Sequence, residues 1–122
     1  MKTVAVIGAS SDRRKFGNRA LRAFRQQGYT VIPINPHEAE VEGLPTYRSV
    51  LDVPGPIDMA TFYVPPHVGE RVIDEVARKG IGEVWLNPGA DGDEVVSKAR
   101  TLGLKPIIAC SIVAIGENPY QF

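Results

Sequence analysis

Thr3-Val4-Ala5-Val6-Ile7-Gly8-Ala9-Ser10-Ser11-Asp12-Arg13-Arg14-Lys15-Phe16-Gly17-Asn18 decides the reading of this chain. Residues 3–7 are β-formers that are apolar on both faces. That pattern predicts a strand buried between two layers, as parallel sheets require. Gly8 stops the run, and a small, hydroxyl-bearing, basic loop follows. Gly17 closes the loop and leads into an amphipathic helix. In that order, loop N–H groups and a helix N-terminus carrying about half a positive charge converge on one point. The arrangement suits a phosphorylated ligand.

The rest of the chain repeats the alternation of strand and helix. Residues 18–27 set Ala20, Leu21 and Phe24 on one helix face and Arg19, Arg22 and Arg25 on the other. Asn18 is the expected N-cap and Gly28 the stop. Residues 29–34 predict a second strand. Pro33 within it marks an edge, a bulge or a ladder position that needs no donor. Residues 35–47 read as a loop, with a short helical turn near Ser49–Leu51. Further strands fall at 58–64, 83–86 and 106–110. Pro65-Pro66 opens a helix whose face is Val68, Val72, Ile73, Val76 and Ala77, and Gly80 ends it. Asp91 or Asp93 begins another, with Val95, Val96, Ala99 and Leu102 inward and Gly103 at its end. Five strands with helical crossovers predict an α/β fold. It is a three-layer, Rossmann-like, doubly wound parallel sheet of about five strands, with residues 1–122 as a single domain. The ligand crevice of such a sheet lies at the carboxyl ends of its strands.

Composition narrows the function classes. The chain has 122 residues, 43% hydrophobic and 23% charged, enough to bury a core. Fourteen basic residues balance fourteen acidic ones, which argues against a nucleic-acid binder. One cysteine excludes an internal disulfide and fits a reducing, cytoplasmic setting. No apolar run approaches the roughly 20 residues of a membrane span, and no signal-peptide pattern opens the chain. One cysteine and two scattered histidines lack ligand-type spacing, so no metal is expected. A nucleophilic Cys110 would need a base, and His37 and His67 belong to other loops of the same edge. A buried structural cysteine is the commoner case. No Ser–His–Asp order and no compelling carboxylate pair is present. No catalytic residue is therefore assigned, and the chain is expected not to be an enzyme.

The strand-end loops carry the candidate site. In the first, Ser10 stands where a dinucleotide clamp has its middle glycine. Ser10 and Ser11 offer hydroxyls, and Arg13, Arg14 and Lys15 offer charge. Gly8 is expected to admit close backbone approach to a phosphate. The second strand ends in Asn35-Pro36-His37, where an NAD enzyme places an acid for the ribose. Glu38 lies further into the loop. The missing acid weakens the alternative of a small NAD(P)-dependent reductase and is compatible with a phosphate near the ribose. Tyr63-Val64-Pro65-Pro66 and Asn87-Pro88-Gly89 are rigid exits suited to lining a slot for an adenine or a thin chain.

Val6–Asn18, Val31–Pro36, Phe62–Pro66 and Trp85–Ala90 together resemble the small stand-alone CoA-binding proteins. These are similar to the CoA-binding domain of the succinyl-CoA synthetase alpha subunit and of ADP-forming acyl-CoA synthetases. The resemblance runs to about Cys110. It implies that Gly8, Ala9, Ser10, Ser11, Lys15, Gly17 and Asn18 hold CoA phosphates. Asn35 and Pro36 would lie beside the adenosine, Val64 and Pro65 would flank the nucleotide, and Asn87, Pro88 and Gly89 would face the pantetheine. The implied ligand is CoA or acyl-CoA, a small-molecule nucleotide, without metal, nucleic acid or membrane. The synthetases' phosphorylated histidine sits in a second domain, so ligase activity is not implied. A homodimer or a partner synthetase is compatible with the chain. The tail Ser111–Asn118 departs from the family pattern, and its apolar stretch Ile112-Val113-Ala114-Ile115 is either a docking patch for a partner, as a regulatory subunit would need, or a segment packed on its own domain.

Overall fold

In the computed structural model, which describes residues 2–122, β1 (Thr3–Ile7) lies inside a five-stranded parallel sheet. Its alternation divides the core. Val4 and Val6 face one side, against α1 (Phe16–Gln26), and Ala5 and Ile7 face the other. All four are fully or almost fully buried, which is why no residue of the strand is polar after Thr3.

The other sheet strands are β2 (Thr30–Ile34), β5 (Met59–Phe62), β6 (Glu83–Leu86) and β7 (Ile107–Ile108). Their order is β2-β1-β5-β6-β7. The chain steps from β1 outward to β2, then returns past β1 to β5. The direction of winding therefore reverses between β1 and β5, and ligands of doubly wound sheets bind at that point. β2 is an edge strand, which accounts for Pro33 within it. Beyond that edge, Tyr47 adds a single parallel bridge to Ile34.

α1 covers one face. On the other lie α2 (Pro66–Lys79), α3 (Asp93–Thr101) and a 3-10 turn at Val50–Asp52, which the Ser49 hydroxyl caps by accepting from Leu51 N–H at 3.1 Å. Gly80 ends α2 in the left-handed region at φ +83°, where a Cβ would be strained.

Four expectations change. The 35–47 loop contains a hairpin, β3 (Glu40–Val41) with β4 (Leu44–Pro45), turned by Glu42 and Gly43 at positive φ. It packs Val41 into the α1-side core. The third strand stops at Phe62, because the exit through Val64 meets Pro65, which has no ladder donor. The last strand has only two residues, both exposed at the sheet edge. Leu102 lies beyond the end of α3 and is 38% exposed, with Leu104 packing on the core instead.

The tail is part of the fold. α4 (Ser111–Ala114) buries Ser111 and Ile112, and Ile112 joins the α1-side core. Further on, Arg22 Nη2 donates to the Phe122 backbone oxygen at 2.6 Å and Arg19 Nη1 to the Pro119 carbonyl at 3.3 Å. Of the apolar stretch considered as a docking patch, Val113 is 59% exposed, while Ile112 is buried and Ile115 packs on the core. Truncating Ile112 to Ala should cost about 3 kcal/mol by cavity formation. Val113→Ala should stay within about 0.5 kcal/mol. Urea unfolding of both variants measures the contrast.

Candidate functional site

The site begins where β1 ends. Gly8 N–H donates to the Ile34 carbonyl at 3.0 Å with φ at +87°. A Cβ there would sit 2.5 Å from the Tyr63 carbonyl oxygen and 2.8 Å from Val64 Cγ1. A Cβ on Gly17 would sit 2.2 Å from the Gly8 carbonyl oxygen. Both glycines are therefore required by the packing of α1 and the β5 exit onto the first loop. This packing requirement stands beside the expected one, room for a ligand phosphate, since Gly8 also lines the clefts.

The loop is braced from within. α1 starts at Phe16 with Lys15 as its N-cap, two residues earlier than expected. Asn18, expected to cap the helix, is instead buried inside it. Its Nδ2 donates to the Ser10 carbonyl at 2.8 Å and to Glu42 Oε2 at 3.2 Å, and its Oδ1 accepts from Arg22 Nε at 2.6 Å. Ser10 Oγ accepts from Asp12 N–H at 3.0 Å. Ser11 donates its N–H to Glu38 Oε2 at 2.8 Å and its hydroxyl to Glu38 Oε1.

The basic residues of the loop separate into paired and unpaired. Arg13 pairs with Glu42 at 3.4 Å. Arg14 forks onto Asp12 through two side-chain bonds of 3.1 Å, which with its own N–H hold the Asp12 carboxyl below the usual range. Lys15 Nζ has no partner among the described residues. The N–H groups of Asn18 and Arg19 return to the Lys15 carbonyl, while those of Phe16 and Gly17 have no carbonyl partner among the described residues.

Two adjoining clefts open at this edge. The first holds about 560 Å³. Gly8, Ser10, Lys15 and Gly17 line one wall, Val64, Pro65, Pro88 and Gly89 the other, with Asn35 and His37 between. The second holds about 420 Å³ and shares Gly8, Asn35, His37 and Val64 with the first. Pro36 lines it, as do Arg48 and Arg71. Of the other sequence-predicted residues, Ala9, Ser11, Asn18 and Asn87 line neither cleft. Ala9 is buried, and its carbonyl accepts from Asn35 Nδ2 at 2.8 Å. A larger cleft of about 620 Å³ lies between α3 and the β7 edge, with Asp91, Asp93 and Arg100 in its wall. It gathers none of the converging strand-end amides.

Asn87 starts a tight turn. Its carbonyl accepts from Ala90 N–H at 2.8 Å across Pro88 and Gly89, with Gly89 at φ +94°. Its side chain is buried and donates to Thr61 Oγ1 at 2.7 Å and the Phe62 carbonyl at 2.8 Å, while accepting from Ser111 N–H at 2.8 Å. Thr61, Ser111 and the Tyr63 hydroxyl continue this network. Burial pushes the Tyr63 phenol up to about 12, with the Ser111 and Thr61 hydrogen bonds opposing it in part. Sequence reasoning missed Glu38, Glu42, Thr61 and Ser111. Only the pairing of a positive-φ residue with Gly43 carried a local signal, and Glu-Gly is a weak one. Cys110 packs against the α1-side core and lines neither cleft, and His67 lines neither. Among the described residues, no group of three His, Cys, Asp or Glu is placed to hold a metal ion, and no helix is long and apolar enough to cross a membrane.

A family model described as a CoA binding domain matches residues 2–116. The chain belongs to the CoA-binding domain family. It is 38% identical over 88 residues to the alpha subunit of ADP-forming acetate–CoA ligase II of Pyrococcus furiosus, covering 70% of this chain and 19% of that subunit. The alpha subunit of ligase I of the same organism is 30% identical over 97% of this chain and 29% of its own length. The chain thus spans less than a third of either ligase subunit. Among solved structures, a conserved hypothetical protein of P. furiosus matches with a TM-score of 0.84 at 33% identity, covering 93% of this chain and 99% of that one. A dinucleotide-forming acetyl-coenzyme A synthetase of Ca. Korarchaeum cryptofilum, in complex with phosphate and ADP, matches with a TM-score of 0.77 at 31% identity over 88% of this chain and 25% of that one.

Two outcomes follow from this geometry. Gly8→Ala should lower stability by about 3 kcal/mol, since strain at positive φ adds to overpacking against Tyr63 and Val64, and a thermal melt reads it. Tyr63, with a folded-state value of about 12 against an ordinary 10.0, keeps its proton better folded than unfolded. Stability is then intact below pH 10.0 and falls as pH rises toward 12, by about 2 kcal/mol for this one group. Tyr63→Phe should flatten that alkaline slope in urea titrations.

Proposed function

We propose that this chain holds CoA or an acyl-CoA across the two contiguous clefts and carries out no reaction on it. The observation that carries the reading is the convergence of open donors at the point where the winding reverses. Phe16 and Gly17 N–H groups lack carbonyl partners, and Lys15 is the loop's one unpaired cation among the described residues. Such a helix start, with a lysine beside it, fits a diphosphate.

In this reading, Gly8 and Ser10 with Lys15 and Gly17 face the phosphates. Asn35 and Pro36 lie beside the adenosine. Val64 and Pro65 flank the nucleotide, and Pro88 and Gly89 border the pantetheine. Ala9, Ser11, Asn18 and Asn87 act from behind, fixing the loops by the hydrogen bonds described above. The Ser11 N–H and hydroxyl are both taken by Glu38, so the donors left for a phosphate at this loop are those of Phe16, Gly17 and Lys15.

The absence of catalysis rests on the side chains at hand. His37 is the one histidine in the clefts among the described residues, and Cys110 is not beside it there. The likeness to ligase alpha subunits supports a partner synthetase as the assembly in which a bound acyl-CoA is used, and the single thiol supports a cytoplasmic setting.

Isothermal titration with CoA should show saturable binding. At 100 times Kd the ligand should stabilise the fold by about 2.7 kcal/mol. Lys15→Ala should weaken binding about tenfold with an unchanged melting temperature in the free protein. No heat and no thermal shift at millimolar CoA would overturn the proposal.

A further inference from the structure

Most of the protein's arginines near the site are occupied. Arg13 and Arg25 turn to Glu42, Arg14 to Asp12, and Arg19 and Arg22 to backbone carbonyls of the tail. The cleft formed by Arg13, Arg22 and Arg25 is therefore already neutralised or hydrogen-bonded. Arg48 and Arg71 differ. Neither has a hydrogen bond or ion pair among the described residues, and both line the second cleft. They come from separate elements, Arg48 from the segment running beside β2 and Arg71 from α2.

The acids nearby do not cancel them. Glu75 shares the cleft, but its carboxylate lies beyond 4.0 Å of either guanidinium and accepts from the Ser49 hydroxyl. Glu38, the acid nearest the end of β2, turns to Ser11 in the first cleft. Asn35 stands at the strand tip with both side-chain atoms engaged, Nδ2 by the Ala9 carbonyl and Oδ1 by His37 N–H at 2.7 Å. So the position that holds a ribose-binding acid in NAD proteins is neutral here, and two unpartnered guanidiniums face the adjoining space. Paired guanidiniums are suited to a phosphate monoester.

We infer that Arg48 and Arg71 form a second anion subsite that takes a phosphate monoester on the ribose of the bound adenine nucleotide. The inference rests on the CoA reading above and deepens it. It makes the ribose phosphate, rather than the diphosphate or the acyl group, the feature that separates this ligand from other adenine nucleotides. The chemistry alone admits a phosphate on the 3′ or the 2′ oxygen, and the occupant is the 3′-phosphate that CoA carries.

The test uses the full chain and fragments of the ligand. Adenosine 3′,5′-bisphosphate should bind at least about tenfold tighter than adenosine 5′-phosphate by calorimetry, the value of one charge-assisted contact pair. In Arg48→Ala/Arg71→Ala that gap should close while adenosine 5′-phosphate binds as before. Both residues are exposed, so the variant should keep its fold, and its melting temperature verifies this. Adenosine 2′,5′-bisphosphate distinguishes the two oxygens, and tighter binding of that isomer would overturn the 3′ assignment. Equal affinity for CoA and dephospho-CoA, or a gap that survives the double substitution, would overturn the subsite while leaving CoA binding intact. Absence of any CoA binding would remove the reading and the subsite together.

Discussion

Everything at this edge depends on the contact between two glycines and a strand exit. The Gly8 Cα leaves no room for a substituent beside the Tyr63 carbonyl, and Gly17 leaves none beside the Gly8 carbonyl. These approaches bring α1, β1 and the end of β5 together at the place where the winding reverses. They also place the open N–H groups of Phe16 and Gly17 against the first cleft. A Cβ on Gly17 would push the helix start away from the first loop and one on Gly8 would push the β5 exit away from β1, and packed interiors have little slack for either movement. The glycines thus shape the site without needing to touch what it holds.

Charge is distributed with equal consequence. A chain of zero net charge concentrates its binding potential by choosing which cations stay unpaired. Asp12 and Glu42 neutralise Arg14, Arg13 and Arg25 around the first loop, and tail carbonyls occupy Arg19 and Arg22. Lys15 remains for the first cleft and Arg48 with Arg71 for the second. Exposed ion pairs of this kind add little stability. Their effect here is to remove competing positive charge, so that the remaining cations mark out an elongated path along the strand ends.

The fold was legible because parallel strands carry a distinctive pattern. β1 and β6 were readable to the residue from apolar runs, Pro33 left an edge as one of three readings, and Gly80 announced the end of α2. The β3–β4 hairpin was not, since each strand has two residues and Glu42-Gly43 lacks the usual Asn or Asp before glycine. Leu102 misled because its period fits α3, yet the helix ends before it and the short β7 offers nothing to cover it. At the site, the loops that share an edge follow from topology, so the clefts gathered most of the predicted residues. Which of them face inward does not follow. Asn18 and Asn87 are types that serve equally as caps, ligand contacts or buried braces, and only three-dimensional partners distinguish these uses. Arg22, one helical turn on, is within reach of local spacing, but the other two partners of Asn18 lie 8 and 24 positions away and are not.

The buried polar network explains why the tail belongs with the site. Thr61, Asn87 and Ser111 satisfy one another at the ends of β5, β6 and the start of α4. Each polar group would be costly to bury alone, and together they leave none of these side chains without a partner. The network requires α4 to be seated before Asn87 is fully hydrogen-bonded. Since Asn87 opens the turn that carries Pro88 and Gly89 into the first cleft, the wall of that cleft is fixed partly by residues more than twenty positions downstream. The tail therefore acts on the binding edge through hydrogen bonds at its back, and the cleft's two walls are held by different physics. Glycine contacts set the wall near α1, and a closed set of polar side chains sets the wall opposite.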